Sequence, residues 1–261
     1  MAGPLPAPFD VRLMNITATV LFILGGAGVL VAAGGWALRH PLFSLGGITV
    51  LGDVVHNNAV TLRANVAPRV AGNFFTLSLE SARAAFQAVP WVRQAVVRRE
   101  FPNRLRVVLQ EHQAVAYWGE EGEPKLVNSF GEVFEANVGD VEQEVLPRLA
   151  GPEGASAQVL ATYRALRPLF ELLDLELEQL VLTGRGSWQA TLDNGGVVEL
   201  GRGTQAELVA RAQRFVQTLT QATAKYGRRP EALVSADLRH GDGYAIRLRG
   251  VSTTAADVQK K

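Results

Sequence analysis

The sequence of 261 residues contains no cysteine, which excludes disulfide bonds, thiolate nucleophiles and cysteine-ligated zinc. This absence does not identify a compartment, because many exported domains also lack disulfides. Histidine is scarce too: the chain has four histidines, namely His40, His56, His112 and His240. They show no His-Glu-x-x-His pattern or other metal-ligand spacing. The sequence therefore predicts no metal site and no cofactor.

Catalytic motifs are also missing, since the sequence has no Gly-x-Ser-x-Gly elbow and no Ser-x-x-Lys pair. The glutamates at residues 120–123 lie in a loop with glycine and proline, which is typical of a solvated turn rather than paired catalytic carboxylates. Residues 201–204, Gly-Arg-Gly-Thr, lack the lysine and the spacing of a phosphate-binding loop, and they favour a tight turn with Thr204 as a helix cap. No catalytic residue is predicted, and binding is the default function.

Charge is absent from residues 13–38. A helix rises about 1.5 Å per residue and needs about 20 residues to cross the hydrocarbon core, so this run predicts a transmembrane helix, with Trp36 as an interfacial anchor. The alternative is a signal peptide cleaved after the small residues 31–33, but such apolar regions usually end after about 7 to 15 residues. Gly28 and Ala32 offer a small-xxx-small contact for another helix, although membrane helices tolerate glycine generally.

The charges that flank this helix leave its orientation open. Arg12 and the amino terminus, offset by Asp10, face only Arg39 and His40 on the other side. A net charge of +1 gives no argument for a nucleic-acid partner. About 220 residues follow the helix, enough for one large or two small domains that each bury a core.

Residues 42–118 predict a compact α+β unit with the order β-α-α-β-β. Its predicted elements are a strand at 48–50, helices at 61–66 and 79–89, and strands at 91–100 and 103–118. Ser78 is suited to cap the second helix and Pro90 to end it. The last strands carry four arginines, namely Arg98, Arg99, Arg104 and Arg106. These could bind lipid headgroups, nucleic acid or an acidic partner, but their alternation with valine and leucine favours a solvated sheet face.

Residues 119–250 predict a β-rich domain with helices packed on a mostly antiparallel sheet. Its predicted strands are residues 125–128, 132–134, 177–182, 188–192, 197–200, 233–239 and 244–249. One helix follows Pro152, and Pro168 should kink it or divide it. A second helix covers residues 205–225, with a capping box of Thr204 and Glu207. Its apolar stripe consists of Leu208, Ala212, Phe215, Leu219 and Ala222. Residues 251–261 are expected to form a disordered tail.

Several segments resemble the bacterial FtsQ/DivIB cell-division family, beginning with its POTRA module. The matching segments of that module are residues 90–99 (PWVRQAVVRR), 101–105 (FPNRL), Glu111 and 114–118 (AVAYW). Further segments match in the family's order, namely residues 128–134 (NSFGEVF), 145–149 (VLPRL), 151–154 (GPEG), 187–189 (SWQ), 200–203 (LGRG) and 237–239 (DLR). The resemblance extends from the apolar helix to about Gly250, and its specificity comes from the order of the segments.

The resemblance implies a single-pass type II protein of the inner membrane, with residues 1–12 in the cytoplasm. It implies a POTRA domain at 42–118 and a second FtsQ-type domain at 119–250, both in the periplasm at the division septum. It further implies a non-enzymatic divisome scaffold that binds FtsB and FtsL, contacts FtsK, FtsW, FtsI and FtsN, and helps regulate septal peptidoglycan synthesis.

The family's FtsB site maps onto the last strands and the turn between them. The corresponding residues here are Arg239, His240, Asp242, Gly243, Tyr244, Ala245, Ile246 and Arg247, with Arg185 from an earlier turn. His240 replaces an aromatic residue common in the family, and Gly186 replaces the second arginine of a pair. Residues 244–249 form the last predicted strand, which is expected to lie at a sheet edge open to strand addition. Alternatively, Arg247 and Arg249 protect this edge.

Two other functions compete with the scaffold. One is a POTRA-containing outer-membrane assembly or secretion factor, but such proteins end in a β-barrel, and no series of lipid-facing strands of about 10 residues follows Gly119. The other is an anchored hydrolase, which the missing catalytic motifs disfavour.

Overall fold

The computed structural model describes residues 8–38, 40, 43–52, 54–70, 73–141, 145–241 and 243–251. The chain divides between Glu111 and His112 into two compact units. The sequence had placed the domain boundary after Trp118. Of the tail predicted at 251–261, all but Val251 lies outside the described residues.

The first unit begins with helix α1, Phe9–Leu38, which contains the predicted apolar helix. The hydroxyls of Thr17 and Thr19 donate to the carbonyls of Leu13 and Asn15, so both polar groups are satisfied within the helix. Within the described part of the chain, α1 is the one helix long and apolar enough to cross a membrane, and its apolar window has no buried residue. It therefore fits a transmembrane helix.

The remainder of the first unit has the predicted β-α-α-β-β order. Its elements are β1 (Gly47–Gly52), α2 (Ala59–Val66), a short 3-10 helix (Ala67–Arg69), α3 (Leu79–Gln87), β2 (Val92–Glu100) and β3 (Arg104–Glu111). β3 lies between β1, to which it is parallel, and β2, to which it is antiparallel. The Ser78 side chain accepts the Ser81 N–H at the start of α3, as predicted. Ala82 and Phe86 on α3 are buried with Leu105 and Val107 on β3, so the helix covers one sheet face.

The single strand predicted at 103–118 is wrong. β3 ends at Glu111, and the next strand, β4 (Ala114–Trp118), belongs to the other sheet. Tertiary contacts explain the break, because the Glu111 carboxylate accepts backbone N–H groups of residues 55–57, which are far away in the sequence. The His112 ring stacks on Phe134 of the second unit with centroids 4.1 Å apart.

The second unit contains one nine-stranded sheet with two long helices. Its further elements are β5 (Lys125–Asn128), β6 (Val133–Glu135), β7 (Arg148–Ala150), α4 (Ser156–Glu171), β8 (Leu177–Leu182), β9 (Trp188–Leu192), β10 (Val197–Gly201), α5 (Gln205–Ala224), β11 (Leu233–Asp237) and β12 (Ala245–Leu248). The strand order is β12-β11-β10-β9-β8-β7-β4-β5-β6. Five of the eight strand contacts are antiparallel, which confirms the predicted mostly antiparallel sheet. The three-residue strand β7 was not predicted.

The helices of the second unit supply much of its core. α4 continues past Pro168 and is not divided there, because buried residues on both sides of the proline, including Leu166 and Phe170, hold it against the sheet. The capping box of Thr204 and Glu207 at the start of α5 is confirmed. Four residues of the predicted stripe are fully buried, namely Leu208, Ala212, Phe215 and Leu219. The fifth, Ala222, is half-buried.

Candidate partner-binding surface

The strand β12 lies at one end of the nine-stranded sheet, as predicted, although it covers Ala245–Leu248 rather than 244–249. It pairs with β11 in antiparallel register, with Ala245 opposite Asp237 and Arg247 opposite Ser235. Within the described residues no strand pairs with its other side. An unpaired side carries backbone donors and acceptors that another chain can use.

The orientation of the β12 backbone follows from one hydrogen bond. The Arg249 N–H donates to the Ala232 carbonyl at 2.8 Å and so points toward the β11 side. The register shift between the two strands inserts its extra residue in β11, so β12 alternates regularly. Backbone groups of alternate residues point to opposite sides of a strand. The N–H groups of Ala245 and Arg247 therefore face β11, and the N–H of Ile246 faces the open edge.

The predicted binding residue Arg239 is already paired within the chain. Its Nε and Nη2 donate to the two carboxylate oxygens of Asp237 at 2.8 and 2.6 Å. These hydrogen bonds from Arg239 lower the pKa of Asp237 from 3.8 to about 2. A guanidinium has five N–H donors, so three remain for another acceptor. The Arg239 side chain is 59% exposed, which leaves it accessible from solvent.

Arg239 lines a cavity of about 1040 Å³ whose walls are strongly basic. Its charged or titratable lining residues are Arg185, Arg202, Arg211, Arg214, Arg239 and His240. Acidic side chains are not among the described residues that line it. Basic walls around a concave surface concentrate positive potential and favour an anionic group. The structure thus brings together two of the predicted arginines, Arg185 and Arg239, with three that sequence reasoning missed.

The local folding of two turns positions Arg185 and Arg211 at this cavity. Arg185 lies in the β8–β9 turn, where the Gly186 N–H donates to the Thr183 carbonyl at 2.9 Å. Arg211 on α5 donates to the carbonyls of Leu200 and Arg202 and fixes the turn between β10 and α5. A sequence signal existed for the missed residues, because Arg211 and Arg214 are three apart and so lie on one side of α5.

Glycine is required where Arg239 packs against this turn. Gly201 has a φ of 77°, in the left-handed region, and a Cβ there would lie 2.9 Å from the Arg239 Cγ. Any other residue would therefore be strained and would displace the arginine. The predicted tight turn at 201–204 thus holds one wall of the basic cavity.

The other predicted residues of this turn and strand come after Arg239 in the sequence. Tyr244 is half-buried, its hydroxyl lies 2.8 Å from the Thr218 hydroxyl, and its ring meets Phe215 edge-on with centroids 5.0 Å apart. It therefore packs on its own helix α5. Gly243 and His240 line a smaller neighbouring cavity of about 240 Å³. Asp242 lies outside the described residues.

The described part of the chain contains no candidate metal site. No group of three or more histidine, aspartate and glutamate side chains there could hold a metal ion. The architecture instead consists of an apolar helix of membrane-spanning length, a small β-α-α-β-β unit, and a large sheet with an open edge beside a basic cavity. These features define a membrane-anchored protein with a surface suited to binding another chain.

Comparison with known proteins assigns the family. The model of the FtsQ-type POTRA domain matches residues 43–112, and that of the C-terminal region of cell division protein FtsQ/DivIB matches residues 116–239. The chain is 41% identical to the cell division protein FtsQ of Burkholderia pseudomallei over 97% of this chain and 99% of the relative. It is 38% identical to the FtsQ of Thiomonas arsenitoxydans over 95% and 91% of the two chains. The chain belongs to the FtsQ/DivIB family of bacterial cell-division proteins.

The matched segments agree with the structural division of the chain. The POTRA match ends at residue 112, one residue beyond the end of the first compact unit at Glu111. The second match ends at Arg239, so β12 and its open edge lie beyond it. The resemblance inferred from the sequence is confirmed, and family membership gives the protein a role in cell division.

Proposed function

We propose that this protein is a non-enzymatic divisome scaffold that binds FtsB, together with FtsL, along the open edge of β12. The observation that carries the proposal is the position of this edge beside the basic cavity, since Arg239 lies in the turn that connects β11 and β12. The family's role in cell division favours this function over an outer-membrane assembly factor.

The open edge of β12 and the basic cavity have different roles in recognition. The added strand pairs with backbone groups such as the Ile246 N–H, which supplies affinity with little dependence on sequence. The arginines of the cavity bind carboxylates of the partner, which fixes its register and speeds encounter. Tyr244 contributes less than a free aromatic would, because Phe215 and Thr218 already hold it.

The proposal extends to topology and to further partners. Residues 1–12 lie in the cytoplasm, α1 crosses the inner membrane once, and both units lie in the periplasm at the septum. Contacts with FtsK, FtsW, FtsI and FtsN then connect the FtsB–FtsL complex to septal peptidoglycan synthesis. The absence of catalytic motifs and the basic binding surface support a scaffold rather than an enzyme.

Substitutions at Ile246 test strand addition directly. The full chain in lipid nanodiscs is titrated with purified FtsB, and the Kd is measured by biolayer interferometry. Ile246→Pro removes the N–H that faces the open edge and should weaken binding by about tenfold or more. Ile246→Ala keeps that N–H and should bind much more tightly than the proline variant. Unchanged binding by a folded Ile246→Pro chain would exclude strand addition at this edge.

Charge reversal at Arg185 tests the cavity. Arg185 is exposed in its turn, so Arg185→Glu should leave the fold intact and weaken FtsB binding, with a larger effect at low salt. Arg229→Glu is the matched control, because Arg229 is also exposed but does not line the cavity. Equal losses for the two variants would show that net charge, not this cavity, attracts the partner.

A further inference from the structure

A cluster of phenylalanines lies at one end of the first unit. We name it the aromatic end, and it consists of Phe43, Phe74, Phe75 and Phe101. The rings meet edge-on, with centroids 5.1 Å apart for Phe43 and Phe75 and 5.8 Å apart for Phe74 and Phe101. Phe74 is buried, but Phe75 is 39% exposed and Phe101 is 76% exposed. The cluster therefore presents aromatic surface that the unit does not cover.

The connection to α1 keeps the aromatic end close to the membrane. Phe43 is five residues beyond Leu38, the last residue of α1, and five residues span at most about 18 Å. The Phe43 carbonyl accepts the Phe74 N–H at 2.8 Å, which ties the cluster to this connection. The Gly46 N–H donates to the Asn103 carbonyl at 2.8 Å and so holds the β2–β3 turn, which carries Phe101, at the same end.

The opposite end of the unit is where the chain leaves it. β3 runs from Arg104, beside the aromatic end, to Glu111, and a strand of this length spans about 23 Å. Exposed apolar side chains at the Glu111 end, such as Val55, are therefore distant from the short connection to α1. Phe43, unlike the Glu111 end, therefore lies within about 18 Å of the end of α1, which leaves the aromatic end within reach of a membrane crossed by α1.

The charge around the aromatic end is strongly positive. Residues 98–106 contain four arginines and one glutamate, a net charge of +3. Arg98 and Arg106 lie directly opposite each other on neighbouring strands, an arrangement that costs stability unless an anion compensates it. Glu100 compensates part of it through its ion pair with Arg106 at 2.5 Å. The remaining positive charge suits anionic lipid headgroups.

Arg99 makes the aromatic end rigid. Its guanidinium donates to the carbonyls of Phe74, Phe75 and Leu77 at 2.8, 3.3 and 2.7 Å. These hydrogen bonds fix the backbone that carries the two neighbouring phenylalanines. Little conformational entropy is then lost when Phe75 enters another apolar environment.

We propose that the aromatic end docks on the bilayer surface, with Phe75 and Phe101 at the boundary between headgroups and acyl chains and with Arg98 and Arg104 on anionic headgroups. The docking fixes the orientation of the first unit relative to the membrane, and it applies to either topology of α1. It is independent of FtsB binding, which involves the second unit.

The absence of cysteine allows a direct test in the full chain. Thr76→Cys, exposed beside Phe75, and Gln94→Cys, exposed on β2 toward the opposite end, are each labelled with a fluorophore. The labelled chains are placed in nanodiscs of phosphatidylethanolamine and phosphatidylglycerol that contain a lipid with a nitroxide on its headgroup. Quenching should be strong at residue 76 and weak at residue 94. Equal quenching at both sites would overturn the proposal.

Substitutions then identify the groups responsible. Phe75→Ser with Phe101→Ser should reduce quenching at residue 76, whereas Val55→Ser, which removes an apolar side chain that is 82% exposed at the other end, should not. Arg98→Glu and Arg104→Glu should each lower the ratio of docked to undocked chain at least about fivefold, and phosphatidylcholine alone should act in the same direction. Each variant is checked for an unchanged melting temperature. Unchanged quenching in the double serine variant would overturn the proposal. The exposed phenylalanines would then be candidates for contact with a protein partner.

Discussion

Asp237 and Arg239 form a two-point ion pair across one residue of the chain, with N···O distances of 2.8 and 2.6 Å. The Arg239 backbone N–H also donates to Asp237 at 3.0 Å. The pair therefore fixes the direction of the chain as it leaves β11. It holds the arginine at the basic cavity before any partner arrives, and this preorganisation reduces the entropy lost on binding.

The stability of the second unit should depend on pH through this pair. The side-chain hydrogen bonds from Arg239 lower the pKa of Asp237 to about 2 from 3.8. A depressed folded-state pKa gives stabilisation that is complete above about pH 4 and is lost as the pH falls toward 2. The difference in unfolding free energy between the wild type and Asp237→Asn, measured with urea, should therefore shrink over this range. For the non-titrating control Ser235→Ala the difference should stay constant, and a constant difference for Asp237→Asn would contradict the prediction.

Phe215→Asp should destabilise the second unit severely. Phe215 is 1% exposed at the middle of α5 and supports the Tyr244 ring beside the proposed binding edge. A buried carboxylate without a partner, in place of a large aromatic ring, should cost at least about 3 kcal/mol. Urea denaturation measures the loss, and Gln213→Asp, on the exposed side of the same helix, should change stability by less than about 0.5 kcal/mol. A similar loss for the two variants would show that the α5 stripe is not core.

The sequence predicted those elements in which local pattern and tertiary packing agree. α5 has both a capping box and a stripe, and its observed residues Gln205–Ala224 differ from the predicted helix by one residue. The break between β3 and β4 was missed, although the four polar residues 110–113 interrupt the apolar alternation there, and contacts of Glu111 and His112 with distant segments end the first strand. Such contacts have no local signal.

The candidate site was predictable to a similar extent. The position of β12 as the last strand suggested an edge, and the resemblance to the family supplied Arg185 and Arg239. The pairing of Arg239 with its own Asp237 was missed, although residues two apart lie on the same side of a strand. The contributions of Arg202 and Arg214 were missed because only the folded sheet brings them to Arg185.

Glu111→Gln should destabilise the first unit although it preserves size. The Glu111 side chain is 6% exposed and accepts the backbone N–H groups of Val55, His56 and Asn57. Burial alone raises its pKa, but these hydrogen bonds outweigh burial, so the net pKa is lowered. An amide replaces one acceptor oxygen by a donor group, which should cost about 1–3 kcal/mol.

Tryptophan fluorescence during urea unfolding measures this loss, since the Trp91 ring stacks on His56 at 3.8 Å beside Glu111. The control Glu80→Gln changes a side chain that is 85% exposed and should alter stability by less than about 0.5 kcal/mol. If Glu111→Gln behaves like this control, the carboxylate does not hold the 55–57 segment.

The orientation of α1 can be decided in living cells. Residues 13–38 exceed the length of a signal-peptide apolar region, so we expect an uncleaved helix with its amino terminus in the cytoplasm. β-Lactamase fused after Lys261 should then reach the periplasm and confer resistance, because that enzyme protects cells only when exported. Fusion after Asp10, before the apolar run, should not confer resistance. A mature chain that begins near Gly34, or an inactive fusion after Lys261 in a chain that accumulates normally, would contradict this topology.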